Sequence, residues 1–159
     1  EASQLVQILP EHLRSRIEHF GSTAIPSIMA KPVIDMLIEV SSSEVAKVEL
    51  EKILVPLGYE FYWRPTTGDE DVWYCWFIKR NANGERSHHL HFVEQSSSMW
   101  NRLLFVRYLI EHESTAKKYE SLKLVLAVKF AQDRSAYTLG KSSFVEEITT
   151  KAIHHYGKI

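Results

Sequence analysis

The chain has a single cysteine, Cys75, in 159 residues. One thiol excludes an internal disulfide and a Cys-based zinc cluster. No segment approaches the roughly 18 apolar residues of a membrane-spanning helix, so no membrane partner is expected. Charge of one sign is also lacking: 19 Lys and Arg against 20 Asp and Glu leave a net −1. That balance argues against a general nucleic-acid binder. The opening "EASQLVQILPEHL" carries neither a basic n-region nor a cleavage site, and with the lone thiol this points to a reducing cytoplasm. Repeats and low-complexity tracts are absent too.

What is there is an ordinary globular composition, 45% hydrophobic and 25% charged, enough for one core and too little for two large domains. The charge is unevenly spread. Residues 1–98 carry nine Lys and Arg against 14 Asp and Glu, a net of −5, whereas residues 99–159 carry ten against six, a net of +4. The hydrophobic period changes at the same place. Before it, "KPVIDMLIEV" is a near-continuous apolar run with β-branched residues, the mark of a strand buried on both faces. Residues 4–16 read as a helix broken at Pro10, and "RIEHFGS" as a strand ending at Gly21. A helix is expected from a Ser41–Glu44 capping box, burying Val45, Val48, Ile53 and Leu57 and closing at Gly58. Strands are expected over 59–64, 72–80 and 86–94, the last two joined by the Asn-Gly turn of "NANGE", with 65–71 as an exposed loop. After "QSSS" the period is 3.6, and three helices are expected around Trp100 to Leu104, Tyr119 to Phe130 and Phe144 to Ala152. The fold class is therefore α+β: a mixed sheet with flanking helices over 1–98, then a helical lobe over 99–159.

Three places carry candidate chemistry. In "HFGSTAIPSIMAKPVIDMLIEV", residues 19–40, Asp35 interrupts an aliphatic strand, and a buried carboxylate is costly unless something compensates it. The Gly21–Ser22 turn ahead of it offers backbone N–H groups and a hydroxyl to an anion; its other reading is an ordinary turn. In "HHLHF", residues 88–92, strand alternation puts His89 and His91 on one face and His88 on the other, so two imidazoles can converge on one cation or phosphate. The other reading is a set of surface imidazoles on an edge strand, and Glu94 on the opposite face is expected to be solvated. In the basic half, Lys123 and Lys129 stand between apolar residues, where a lysine either snorkels to solvent or faces a cleft. Arg107 lies in an amphipathic helix.

The blocks "IEHFGSTAIPSIMAKPVIDMLIEV", "LGYEFY", "SHHLHFVE", "RYLIEHESTAKKYESLKLVLA" and "DRSAYTLGKSSFVEEI", in this order over about residues 16–148, resemble the GrpB family, a mostly uncharacterised bacterial group assigned to the nucleotidyltransferase superfamily. A similar domain forms the tail of some dephospho-coenzyme A kinases. Family members usually begin some tens of residues earlier, so the resemblance implies a trimmed or divergent start.

The resemblance implies a nucleotidyltransferase-like fold, with Gly21 and Ser22 where the superfamily holds nucleotide phosphate and Asp35 where its first metal-binding carboxylate stands. The chain departs from the superfamily's Asp-x-Asp or Asp-x-Glu at Leu37, which puts ordinary two-Mg²⁺ transfer in doubt. The expectation is one divalent metal, Zn or Mn rather than Mg, on Asp35, His89 and His91. Gly21, Ser22 and Lys31 would hold phosphate oxygens, Lys123 would add charge from the helical side, and Asp35 would double as a base. A nucleoside triphosphate or another small phosphorylated molecule is the expected ligand, bound between the lobes, with nucleotidyl or phosphoryl transfer to a small acceptor. The alternatives are a non-catalytic, degenerate transferase fold serving as a folding aid or protein-interaction domain, and a metal-dependent hydrolase using the same histidines.

Overall fold

The computed structural model describes residues 1–66 and 69–159. By contacts the chain divides into two units, 1–21 with 32–100 and 22–31 with 101–159.

The first unit is a five-stranded mixed sheet with helices α1 (Ala2–Ile8) and α2 (Ser43–Leu54). Its strands are β1 (Ile17–Phe20), β2 (Ile34–Val40), β3 (Tyr59–Thr66), β4 (Asp69–Arg80) and β5 (Arg86–Glu94). Their order is β1-β2-β5-β4-β3, so β5 is the middle strand and the "VIDMLIE" run lies beside it. Only β2 and β5 run parallel; the other pairs are antiparallel. The β4–β5 turn forms at Asn81–Glu85, where Asn81 Oδ1 accepts the N–H groups of Asn83 and Glu85. Of the loop expected over 65–71, Pro65 and Thr66 extend β3 and 69–71 open β4, while Thr67 and Gly68 lie outside the described residues.

Alternation assigns one sheet face to the main core. Met36, Ile38 and Val40 of β2, Leu90 and Phe92 of β5, and Cys75 and Phe77 of β4 pack with Leu5, Leu9 and Leu13 and with Ala46, Leu50 and Leu54 of α2. The expected buried face of α2 needs correction. Val45 is 76% exposed and Val48 and Leu57 are exposed as well; of the expected set, only Ile53 packs against the core. The core takes the i, i+4, i+8 stripe of Ala46, Leu50 and Leu54 instead. The helix N-cap is Ser42 rather than Ser41, its hydroxyl accepting the Val45 N–H, and Glu44 pairs with Lys47.

The second unit holds α3 (Asn101–Glu111), α4 (Glu113–Lys129), α5 (Arg134–Gly140) and α6 (Ser142–Tyr156). Helix α5 is one more than the periodicity indicated; Asp133 caps it by accepting the Ala136 N–H. Tyr119 of α4 stacks on Phe144 of α6 and meets Phe105 of α3 edge-on. The Pro-broken connector 22–31 is fastened to α4 by charge. Lys117 Nζ donates to the Ser27 carbonyl at 2.6 Å, Glu120 accepts the Met29 N–H, and Lys123 Nζ donates to the Met29 carbonyl at 2.7 Å. None of the helices among the described residues is long and apolar enough to cross a membrane.

Candidate functional site

The sheet face opposite the main core carries the chemistry. Register places Phe20 against Asp35, Asp35 against His89, Leu37 against His91 and His91 against Trp76. Four strands thus deliver two aromatic rings, a carboxylate and two imidazoles to one patch, as period-2 alternation requires. His89 Nδ1 lies 2.9 Å from Asp35 Oδ1, and His91 Nε2 lies 3.9 Å from the same oxygen. The ligand atoms offered by the three residues all fall within 4.8 Å of one another.

The imidazoles are held from several sides. His91 Nδ1 meets the Tyr74 hydroxyl at 3.3 Å, its ring stacks on Tyr74 and Trp76, and Phe20 closes edge-on at 5.3 Å. His89 meets the Trp76 ring edge-on at 5.2 Å. His89 and His91 are 7% and 6% exposed, whereas the Asp35 side chain keeps 26% of its surface open to solvent. His89 Nε2 is buried without a hydrogen-bond partner among the described residues. Burial by itself would raise the Asp35 pKa, but the hydrogen bond with His89 and the electrostatic influence of the two neighbouring imidazoles override it and hold the carboxyl well below the usual carboxylate range.

The glycine ahead of the strand is explained by that carboxylate. Gly21 has φ +75°, and a Cβ there would stand 2.5 Å from Asp35 Oδ2. Its lack of a side chain is what lets the β1 exit pass so close to the acid. Leu37, two residues beyond Asp35 on the same face of β2, is fully buried. Glu39, next on that face, accepts the Ser15 hydroxyl at 3.0 Å. Glu94 is not simply solvated: its carboxylate accepts the Ser43 N–H at 2.9 Å and its carbonyl the Trp100 indole N–H.

The other sequence candidates belong to the helical unit. Ser22 opens a single 3₁₀ turn, Ser22–Ala24, and its carbonyl accepts the Ile25 N–H. Lys31 is exposed, its ammonium 4.7 Å from the Tyr137 ring centre. Lys123 neither snorkels nor stands free: it is 6% exposed, bonded to the Met29 carbonyl and seated over Tyr119. Burial, reinforced by Lys141, lowers its pKa to about 8.

Sequence reasoning missed the arginines of the sheet. The Arg64 guanidinium lies 4.9 Å from the Trp76 ring centre and Arg86 lies 5.5 Å from it. Both stand in the acidic half, so a search for cations in the basic helices passed over them. Strand parity, which aligns Arg64 with Tyr74, was the signal that would have found Arg64.

Comparison with known proteins agrees with the blocks noted in the sequence. The family model described as GrpB protein matches residues 1–151. Glutamate-rich protein GrpB of Alkalihalophilus pseudofirmus is 38% identical over 150 residues, 93% of this chain and 84% of that protein. UPF0157 protein YqkA of Bacillus subtilis is 36% identical over 131 residues, covering 82% of this chain but 36% of its own length. The crystal structure of conserved protein GrpB from Enterococcus faecalis superposes with a TM-score of 0.81 at 30% identity, over 98% of this chain and 89% of that one. By sequence and by fold, the chain belongs to the GrpB family.

Proposed function

We propose that this chain binds one divalent cation through Asp35, His89 and His91 and there holds a nucleotide or another small phosphorylated molecule, in a cytoplasmic setting. The reaction class is nucleotidyl or phosphoryl transfer to a small acceptor. The supporting observation is the convergence of one ionised carboxylate and two buried imidazoles from β2 and β5, with His89 Nε2 lacking any protein partner among the described residues. The donor set fits: bonds of 2.0–2.2 Å in a tetrahedral site put ligand atoms about 3.4 Å apart, so the 3.9 Å Asp35–His91 gap closes by small side-chain rotations. Two imidazoles favour Zn²⁺ or Mn²⁺ over Mg²⁺. A cation bound there supplies Lewis-acid polarisation of a phosphoryl oxygen.

The chain's own residues set the conditions. Asp35, held ionised far below neutrality, suits a ligand better than a proton acceptor, whose pKa should lie near working pH. Tyr74 orients His91, and Phe20 and Trp76 keep water from the imidazoles. Gly21, against Asp35, remains the phosphate candidate within this unit, whereas Ser22 and Lys31 belong to the helical unit. Lys123 drops out as a phosphate candidate because its ammonium is engaged by the connector backbone.

One observation favours a second reading. With Leu37 buried in place of the second carboxylate, the fold also suits a non-catalytic folding-aid or interaction role. Metal analysis of protein purified without a polyhistidine tag tests the primary reading. Wild type is expected to hold about one equivalent of metal, and Asp35→Ala and His91→Ala to lose most of it with unchanged far-UV circular dichroism. Wild-type metal in both variants refutes the site. Metal bound with no nucleotide-induced thermal shift at any metal concentration favours the non-catalytic reading.

A further inference from the structure

We infer that Arg64 and Arg86, stacked on the Trp76 indole beside the histidine cluster, form the anion-gripping half of this site and hold a phosphate group of the ligand. The inference rests on the reading of Asp35, His89 and His91 as the other half. Register puts Arg64 opposite Tyr74, Tyr62 opposite Trp76 and Trp76 opposite His91, all on the sheet face away from the main core. Arg64 lies over both Trp76 and Tyr74, at 4.9 and 6.0 Å, and Arg86 over Trp76 at 5.5 Å.

Two guanidiniums against one indole carry like charge, and among the residues whose side chains are described neither has a carboxylate in ion-pair contact; the Glu60 charge acts on Arg86 only from a distance. Glu60, on the same face of β3, is taken up by Arg80 at 2.5 Å and by the Tyr62 hydroxyl at 3.0 Å. A guanidinium held over an aromatic ring keeps N–H donors for other partners, and a guanidinium meets phosphate oxygens as a fork. The same indole lies 5.2 Å from the His89 ring and 5.9 Å from the His91 ring. A ligand reaching both halves therefore needs one metal-seeking oxygen with further anionic oxygens a few ångströms away. A phosphate ester or a di- or triphosphate chain has them, and a simple carboxylate does not.

Titration calorimetry of the full chain with inorganic pyrophosphate in EDTA tests this without the metal. Arg64→Gln and Arg86→Gln are each expected to weaken binding at least tenfold. Arg64→Lys, which keeps the charge and the stem but loses the fork, is expected to weaken it at least threefold, and it carries the test if a glutamine variant melts early. Wild-type affinity in the arginine variants, or no pyrophosphate binding by wild type, overturns the inference. Failure of the metal reading shows differently, as no Zn²⁺ uptake by wild type with the arginine effects intact.

Discussion

Replacing Gly21 by alanine separates the cost of a backbone conformation from the cost of disturbing the carboxylate beside it. At φ +75° an L side chain costs about 1–2 kcal/mol. Gly58, at φ +87° with nothing within 4 Å of its missing Cβ, bears that cost alone and serves as the internal reference. At Gly21 the new Cβ would also meet Asp35 Oδ2 at 2.5 Å and Asp35 Cγ at 3.1 Å. The carboxylate must retreat by most of an ångström, which lengthens its 2.9 Å bond to His89. A hydrogen bond to a charged group contributes about 1.5–3 kcal/mol, and its partial loss takes Gly21→Ala to about 2–4 kcal/mol against about 1–2 for Gly58→Ala. Urea unfolding followed by far-UV circular dichroism measures both, and Zn²⁺ competition titration should show at least a tenfold loss for Gly21→Ala with none for Gly58→Ala. Equal stability losses with unchanged metal affinity would refute the close approach of glycine and acid as the reason for the turn.

Asp35→Asn should destabilise the protein by about 1–3 kcal/mol at pH 7. The native pKa is depressed, so the carboxylate's contribution is full above the unfolded value near 4 and fades as pH falls below it; the gap between wild type and variant in urea midpoints should narrow from about pH 4 downward. Lys123 has a slope of the same sign in a more alkaline window. Its native pKa of about 8 lies below the ordinary 10.5, so the unfolded chain binds more protons in between and wild-type stability should rise from pH 8 to 10.5. Lys123→Met should lack that rise, stay within about 1 kcal/mol of wild type at pH 7 and bind pyrophosphate normally; a flat wild-type profile would place the ammonium in water. Cys75 is fully buried, with burial pushing its thiol up to about 12 and its Sγ 3.6 Å from the Ser43 carbonyl. Its labelling by a thiol reagent should track global unfolding in urea, and fast labelling of native protein would contradict the packing.

Much of the sheet was legible because its signals are local. The β-branched run of β2, the Asn-Gly turn and the alternation of His88 to His91 each depend on neighbours in sequence, and all three stand where expected. The face of α2 was not legible. Val45 and Val48 are more apolar than Ala46, yet the sheet surface accepts the small Ala46 with Leu50 and Leu54, and complementarity between partners decides such a choice. The placement of Lys123 was hidden for a related reason. Its flanking leucines suggested a lysine reaching outward, but the acceptor that draws it in, the Met29 carbonyl, lies 94 residues away in an irregular connector. Asp35 and the two histidines could be named from their spacing; strand parity pointed only to Arg64, and Arg86 stayed hidden because β3 and β5 meet only through β4.

The parallel pairing of β2 with β5 makes native contact at Asp35 a matter of timing. Strands β3, β4 and β5 are successive neighbours close in sequence, whereas Asp35 and His89 stand 54 residues apart and meet only when β2 docks beside β5. Local pairings form before contacts that must close a long loop. His89 and His91 are thus in position early, and Asp35 completes the set as one of the last events of folding. A bound cation would cross-link a step absent from most of the folding route, so it should slow unfolding in stopped-flow denaturant jumps while leaving the refolding rate nearly unchanged.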